Sequence, residues 1–157
     1  VAPSRGLGDV YKRQEQLKER KQQFDEQIRI GIMIEIPAIA LIADLAAEEV
    51  DFASIGSNDL TQYLSAADRM NPEVAAYYKS DSTAMLRLLG FVFREFSKRE
   101  KEISVCGEMA GNPETAQLLV GLGARKLSMS SGNIAGVKAK LAECTLQELT
   151  ALAEKKL

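Results

Sequence analysis

The sequence predicts a parallel α/β protein, and three observations carry that prediction. Short apolar runs alternate with helix-period stretches four times along the 157 residues. Ile28 to Ile36 is β-branched and almost uninterrupted by polar residues, the pattern of a strand buried within a parallel sheet. Each run also carries polar side chains at its carboxyl end, where a βα unit turns from strand to helix. Four such units fit a small open sheet or half of an eight-stranded barrel.

Residues 1–14 show no apolar period and match nothing downstream. They are expected to be an extraneous, unstructured leader, leaving 15–157 as the domain. Glu15 to Gln27 is strongly polar, with Leu17 and Phe24 seven apart, and reads as a weak surface helix. The run Ile28 to Ile36 is the first strand; it contains one carboxylate, Glu35, and is followed by Pro37. Ala38 to Glu49 places Ala and Leu at helical spacing with acidic residues opposite. Asp51 to Ser57 is the second strand, stopping at Gly56, and a short helix over Leu60–Ala67 leads to Asp68 and Arg69. Thr83 to Lys98 is a long helix with Met85, Leu88, Leu89, Val92 and Phe96 on one face. Ile103 to Cys106 is the third strand, and Gly107 to Gly111 a loop. Pro113 then takes the first position of a helix that ends at Gly121-Leu-Gly123. Lys126 to Ser130 is the fourth strand. Helices over about 133–143 and 146–156 close the chain, the last with Thr145 as N-cap and Glu148 as its capping-box partner.

Composition removes whole classes of chemistry. A formal charge of −2 and a pI near 5.4 give no basic field for nucleic acid. No apolar run approaches the roughly 18 residues of a membrane span, and no secretory leader is evident, so a cytoplasmic protein is expected. Cys106 and Cys144 lie in unrelated surroundings and do not suggest a disulfide framework. The absence of histidine excludes Ser-His, Cys-His and His-ligated zinc sites. A strand running into Gly-x-Gly-x-x-Gly is missing, and so is a Gly-x-x-x-x-Gly-Lys-Ser/Thr loop.

Ligands of parallel α/β folds bind beyond the carboxyl ends of the strands. The four tips offer Glu35, Ser57-Asn58-Asp59, Cys106-Gly107-Glu108 and Ser128-Met129-Ser130. Glu35 sits in an apolar run, where an unpaired charge costs several kcal/mol, so it is expected beside a cation, protonated, or at a solvent-facing end. Glu35 and Asp59 on consecutive strands supply hard oxygens suited to Mg²⁺ or Mn²⁺, although such pairs also make structural ion pairs. Asn58 or Asp59 could instead cap the next helix. Arg69 could clamp an anion at the same mouth or bridge to Asp68 or Glu73. Cys106 could be a small buried hydrophobe or, facing the mouth, an acid or base.

Four stretches carry a resemblance to a known family. They are Gly31-Ile-Met-Ile-Glu-Ile-Pro-Ala38, Phe52-Ala-Ser-Ile-Gly-Ser-Asn-Asp-Leu-Thr-Gln-Tyr63, Ala66-Ala-Asp-Arg-Met-Asn71 and Cys106-Gly-Glu-Met-Ala-Gly111. The first two resemble the phosphoenolpyruvate-utilising enzymes in general, pyruvate phosphate dikinase and phosphoenolpyruvate synthase included. The last two are similar more specifically to the carboxy-terminal part of enzyme I of the bacterial sugar phosphotransferase system, a phosphoenolpyruvate-protein phosphotransferase. The resemblance implies strands five to eight of a dimeric (β/α)8 barrel. It implies that Glu35 and Asp59 hold Mg²⁺, that Asn58, Asp59 and Arg69 bind phosphoenolpyruvate, and that Cys106 is the proton donor that completes pyruvate. It further implies partners outside this chain: a phosphohistidine domain and the phosphocarrier protein HPr. The family's arginines on earlier strands have no counterpart here, so the chain is expected to be an inactive fragment by itself. The alternatives are a dikinase or synthase fragment, a Mg²⁺-dependent enolate lyase, and a non-catalytic self-association piece.

Overall fold

In the computed structural model, which describes residues 7–157, four strands lie side by side in chain order, all parallel. They are β1 (Gly31–Ile34), β2 (Phe52–Gly56), β3 (Glu102–Cys106) and β4 (Lys126–Ser128). Their register aligns Ile34 with Ile55 and Val105, and Gly56 with Cys106 and Ser128. The helices among the described residues are α1 (Leu7–Glu19), α2 (Pro37–Leu41), α3 (Ala43–Glu49), α4 (Ser57–Ser65), α5 (Thr83–Lys98), α6 (Glu108–Gly111), α7 (Pro113–Leu122), α8 (Ser131–Ala142) and α9 (Leu146–Glu154). A single 3₁₀ turn, Ala75–Tyr77, interrupts the loop after α4.

A parallel sheet whose order never reverses sends every right-handed crossover over the same face. The core therefore forms on one side of the sheet. Ile34, Ile55 and Val105 point into it and are fully buried, with Ala53 beside them, against Met85, Leu89, Val92 and Phe96 of α5. The alternate residues face the other way, and Met33 there is 47% exposed. The expectation of strands buried on both faces is thus corrected: the apolar letters of β1 hide an alternation, because Met33 is apolar but lies on the open side. That side carries Met33, Ser54 and Ser104 in one row, with Gly56, Cys106 and Ser128 in the next row toward the carboxyl ends.

Local chemistry explains where elements begin and end. β1 pairs only over Gly31–Ile34, shorter than the run 28–36 suggests, because the Ile30 amide donates to the Asp51 side chain at 2.7 Å and Pro37 opens α2. The single helix expected over 38–49 is two, broken at Ile42 (φ −111°, ψ 31°). α5 matches its predicted span, and its apolar stripe is the buried one. It is capped by Ser82, whose hydroxyl accepts from the Met85 amide. α7 begins at Pro113 with Asn112 as N-cap, and the Thr145–Glu148 capping box of α9 is formed.

At the amino end the reading shifts. Helix α1 starts at Leu7, inside the segment expected to be unstructured, and stops at Glu19 rather than continuing to Gln27. Lys21 turns left-handed, and the Asp25 side chain accepts from the Gln27 amide, a local bond that competes with helix. Residues 1–6 of the expected leader lie outside the described residues.

Candidate active site

Helix α4 starts directly at the tip of β2, earlier than the expected Leu60. Ser57, Asn58 and Asp59 are therefore its first turn rather than a loop. Above this tip lies a recess of about 230 Å³ lined by Glu35, Asn58, Asp59, Arg69 and Cys106, together with Met33, Gly56, Ser57 and Gly107. All five candidate side chains thus converge on one cavity at the carboxyl ends of β1, β2 and β3. A second recess of about 390 Å³ shares Asn58, Cys106 and Gly107 with it and extends the mouth to Ser128, Met129 and Ser130 after β4. Glu35 lies just past the last paired residue of β1 and is exposed, so the burial penalty expected of it does not arise. Its carboxylate occupies the space over Gly56: a Cβ there would sit 3.2 Å from Glu35 Oε2.

Two side chains of the β2 tip hold the β3 tip in place. The Ser57 hydroxyl, buried, donates to the Cys106 carbonyl at 2.6 Å. The Asn58 side-chain Oδ1 accepts from the Glu108 amide at 2.9 Å, which leaves the side-chain NH₂ as the donor end of that amide. Between them Gly107 adopts φ 105°, ψ −172°, with Ser57 and Asn58 so close that a Cβ would fall 2.5 Å from Ser57 Oγ. Only glycine suits both the angle and the gap. The Cys106 thiol is half-buried and faces the open side of the sheet. It donates to the Ile55 carbonyl at 3.3 Å and accepts from the Ser54 hydroxyl at 3.8 Å, and Ser54 in turn accepts from Ser104 at 3.0 Å. Cys144, by contrast, sits away from this mouth and accepts from the Gln117 amide.

Arg69 reaches the mouth from the loop after α4. Ala66 turns left-handed to end that helix, and the Arg69 amide then donates to the Gln62 side chain. The guanidinium lies 3.6 Å from Asp59 Oδ1, so the ion pair is with the β2 tip and not with Asp68 or Glu73. Tyr78, further along the loop, donates its hydroxyl to the Asn58 carbonyl at 3.1 Å. Burial raises the Tyr78 phenol above its ordinary range, the Glu108 charge raises it further, and Arg69 opposes both. Sequence reasoning placed Ser57 and Gly107 at strand tips without giving either a role, and it missed Tyr78 altogether. A glycine after a strand-tip cysteine is a signal that could have marked Gly107; nothing in the letters connects Tyr78 with Asn58, twenty residues earlier.

The recess is rich in carboxylate: Glu35 and Asp59 line it, Glu108 borders the neighbouring space, and Arg69 is the cation among its lining residues. Among the described residues no group of three or more His, Cys, Asp or Glu side chains is arranged to hold a metal ion. Two carboxylates without thiolate or imidazole are nevertheless a fitting donor set for Mg²⁺, which retains waters and takes substrate oxygens for its remaining positions.

Comparison with known proteins agrees with these stretches. The family model described as "PEP-utilising enzyme, PEP-binding domain" matches residues 7–146. Multiphosphoryl transfer protein 2 of Escherichia coli K12 is 45% identical, over 85% of this chain and 17% of its own length. The phosphoenolpyruvate-protein phosphotransferases of Bacillus subtilis and Listeria monocytogenes are 42% and 43% identical, each over 90% of this chain and 25% of their own. The chain thus spans about a quarter or less of the length of these curated relatives. With the match running from α1 through the start of α9 and taking in every strand tip, the chain belongs to the family of phosphoenolpyruvate-utilising enzymes, in its phosphoenolpyruvate-binding domain.

Proposed function

We propose that this chain is part of a phosphoenolpyruvate-protein phosphotransferase, contributing strands five to eight of a (β/α)8 barrel that binds phosphoenolpyruvate. The observation that carries the reading is the convergence of Glu35, Asn58, Asp59, Arg69 and Cys106 on one recess. The chain-ordered parallel sheet, with helices on one face and an open, partly polar face opposite, is compatible with half of such a barrel and supports this reading. The names of the relatives favour the phosphotransferase over a dikinase or synthase.

In this reading Arg69 and the Asn58 amide hold the substrate's phosphoryl group, and Glu35 and Asp59 hold Mg²⁺. When bound, that ion supplies Lewis-acid neutralisation of charge developing on substrate oxygens. The P–O bond of phosphoenolpyruvate breaks as a P–N bond forms to a histidine on a domain outside this chain, leaving pyruvate enolate. The Cys106 thiol gives its proton to the methylene carbon, a C–H bond forms, and pyruvate results. The thiolate so produced keeps the Ser54 hydroxyl as a donor. The full enzyme would pass its phosphoryl group to HPr, act as a homodimer and reside in the cytoplasm. Among the described residues no helix is long and apolar enough to cross a membrane. This chain by itself is expected to be inactive, since it contains no histidine to accept the group.

The test is single-turnover kinetics of the full-length protein with phosphoenolpyruvate and Mg²⁺. Cys106→Ala should still lose the phosphoryl group to histidine while pyruvate formation falls by about 10²-fold or more. Pyruvate formed at the unaltered rate would remove Cys106 as proton donor. No phosphohistidine in the unaltered protein would remove the reading as a whole.

A further inference from the structure

The phosphoryl clamp of a barrel mouth has to be stiff, yet Arg69 is carried by a loop, 66–82, whose only regular turn is Ala75–Tyr77. Three bonds tie that loop back, one to the body of α4 and two to the β2 tip. The Arg69 amide donates to Gln62, Arg69 pairs with Asp59 at 3.6 Å, and the Tyr78 hydroxyl donates to the Asn58 carbonyl at 3.1 Å. Of these, the Tyr78 bond joins the far end of the loop to the residue that also latches the Cys106 loop through its side chain.

Resting on the functional reading above, we propose that Tyr78 is a positioning residue that sets Arg69 for the phosphoryl group by pinning the loop to Asn58. The hydroxyl is well suited to this. It spends its proton on the backbone carbonyl of Asn58, the residue next to Asp59, whose carboxylate pairs with the Arg69 guanidinium at 3.6 Å, so both ends of the loop are held at one point of the β2 tip. The ring is half-buried while the preceding Tyr77 is 70% exposed, so one of two adjacent tyrosines is used and the other is not. The hydroxyl touches no reacting atom in this role; it acts through Arg69 and the Asn58 backbone.

The experiment is a double-mutant cycle in the full-length protein with Tyr78→Phe, Arg69→Lys and both. It reads kcat and KM for phosphoenolpyruvate, and affinity for it by calorimetry so that a slow variant still reports. Tyr78→Phe should lower kcat/KM about 10-fold, chiefly through KM, the size of one hydrogen bond that sets a charged group. In the Arg69→Lys background the same change should cost less than about 2-fold, because the two act as a unit. A Tyr78→Phe enzyme with unchanged kinetics and affinity overturns the inference, as do two penalties that simply multiply. If the unaltered protein binds no phosphoenolpyruvate, the functional reading falls and takes this one with it; if it turns over normally, the cycle alone decides.

Discussion

Gly107→Ala is the sharpest probe of how the β3 tip is held. At φ 105°, ψ −172° an L-residue is strained by about 1–3 kcal/mol. The new Cβ would stand 2.5 Å from Ser57 Oγ and 2.8 Å from Asn58 Oδ1, so both polar groups must move. Those are the atoms that make the bonds to the Cys106 carbonyl and the Glu108 amide, each worth about 1 kcal/mol net. The combined loss is about 2–5 kcal/mol. Urea unfolding followed by far-UV circular dichroism measures it, as a lower midpoint at unchanged slope. Gly90→Ala, within α5, is the control: its Cβ would meet only Leu122 Cδ2 of α7 at 3.5 Å, and the change should be neutral or stabilising by up to about 1 kcal/mol. A Gly107→Ala protein within about 0.5 kcal/mol of the parent, on the scale of ordinary surface changes, would refute the argument that the latch is closely packed.

Two further outcomes follow from the same geometry. Ser57→Ala removes the buried donor to the Cys106 carbonyl and should cost about 1–3 kcal/mol in the same unfolding assay. Glu95, nearly buried on α5, has its carboxyl lowered to about 2 by Lys98 first, with Arg99 and Arg94 adding and burial opposing. Because the folded value lies below the unfolded one, its stabilisation is complete above about pH 4.5 and lost as pH falls toward about 2. Glu95→Gln should therefore flatten the fall of Tm across that window, and an unchanged slope would show that the three cations do not act through this carboxylate.

How much of this was legible in the letters differs from element to element. α5 could be read end to end because its apolar stripe, its Ser82 cap and its burial all agree. β1 could be located but not bounded, since Asp51 takes the Ile30 amide before the ladder can and Pro37 opens a helix just past the other end. The helix over 38–49 breaks at Ile42 without a proline or glycine to announce it. Glu35, Asn58, Asp59 and Cys106 were expected at one mouth because the βα repeat puts strand ends on one side, a rule that needs only the order of elements, and Arg69 because it follows the second tip by one short helix. Tyr78 and the Ser54–Ser104 hydroxyl pair were not, because both depend on contacts across the fold.

By itself, then, the order of apolar runs and helix signals determines that this is a parallel α/β chain, and which tips carry polar chemistry. Those are one-dimensional properties: side-chain period, caps and turn residues act over a few positions. The tertiary structure alone decided that Met33 faces the open side, that Arg69 pairs with Asp59 rather than its sequence neighbours, and that Ser57 and Asn58 clamp the cysteine loop. Each of these joins segments that meet only when neighbouring strands pair in register, and that register is set by the whole sheet.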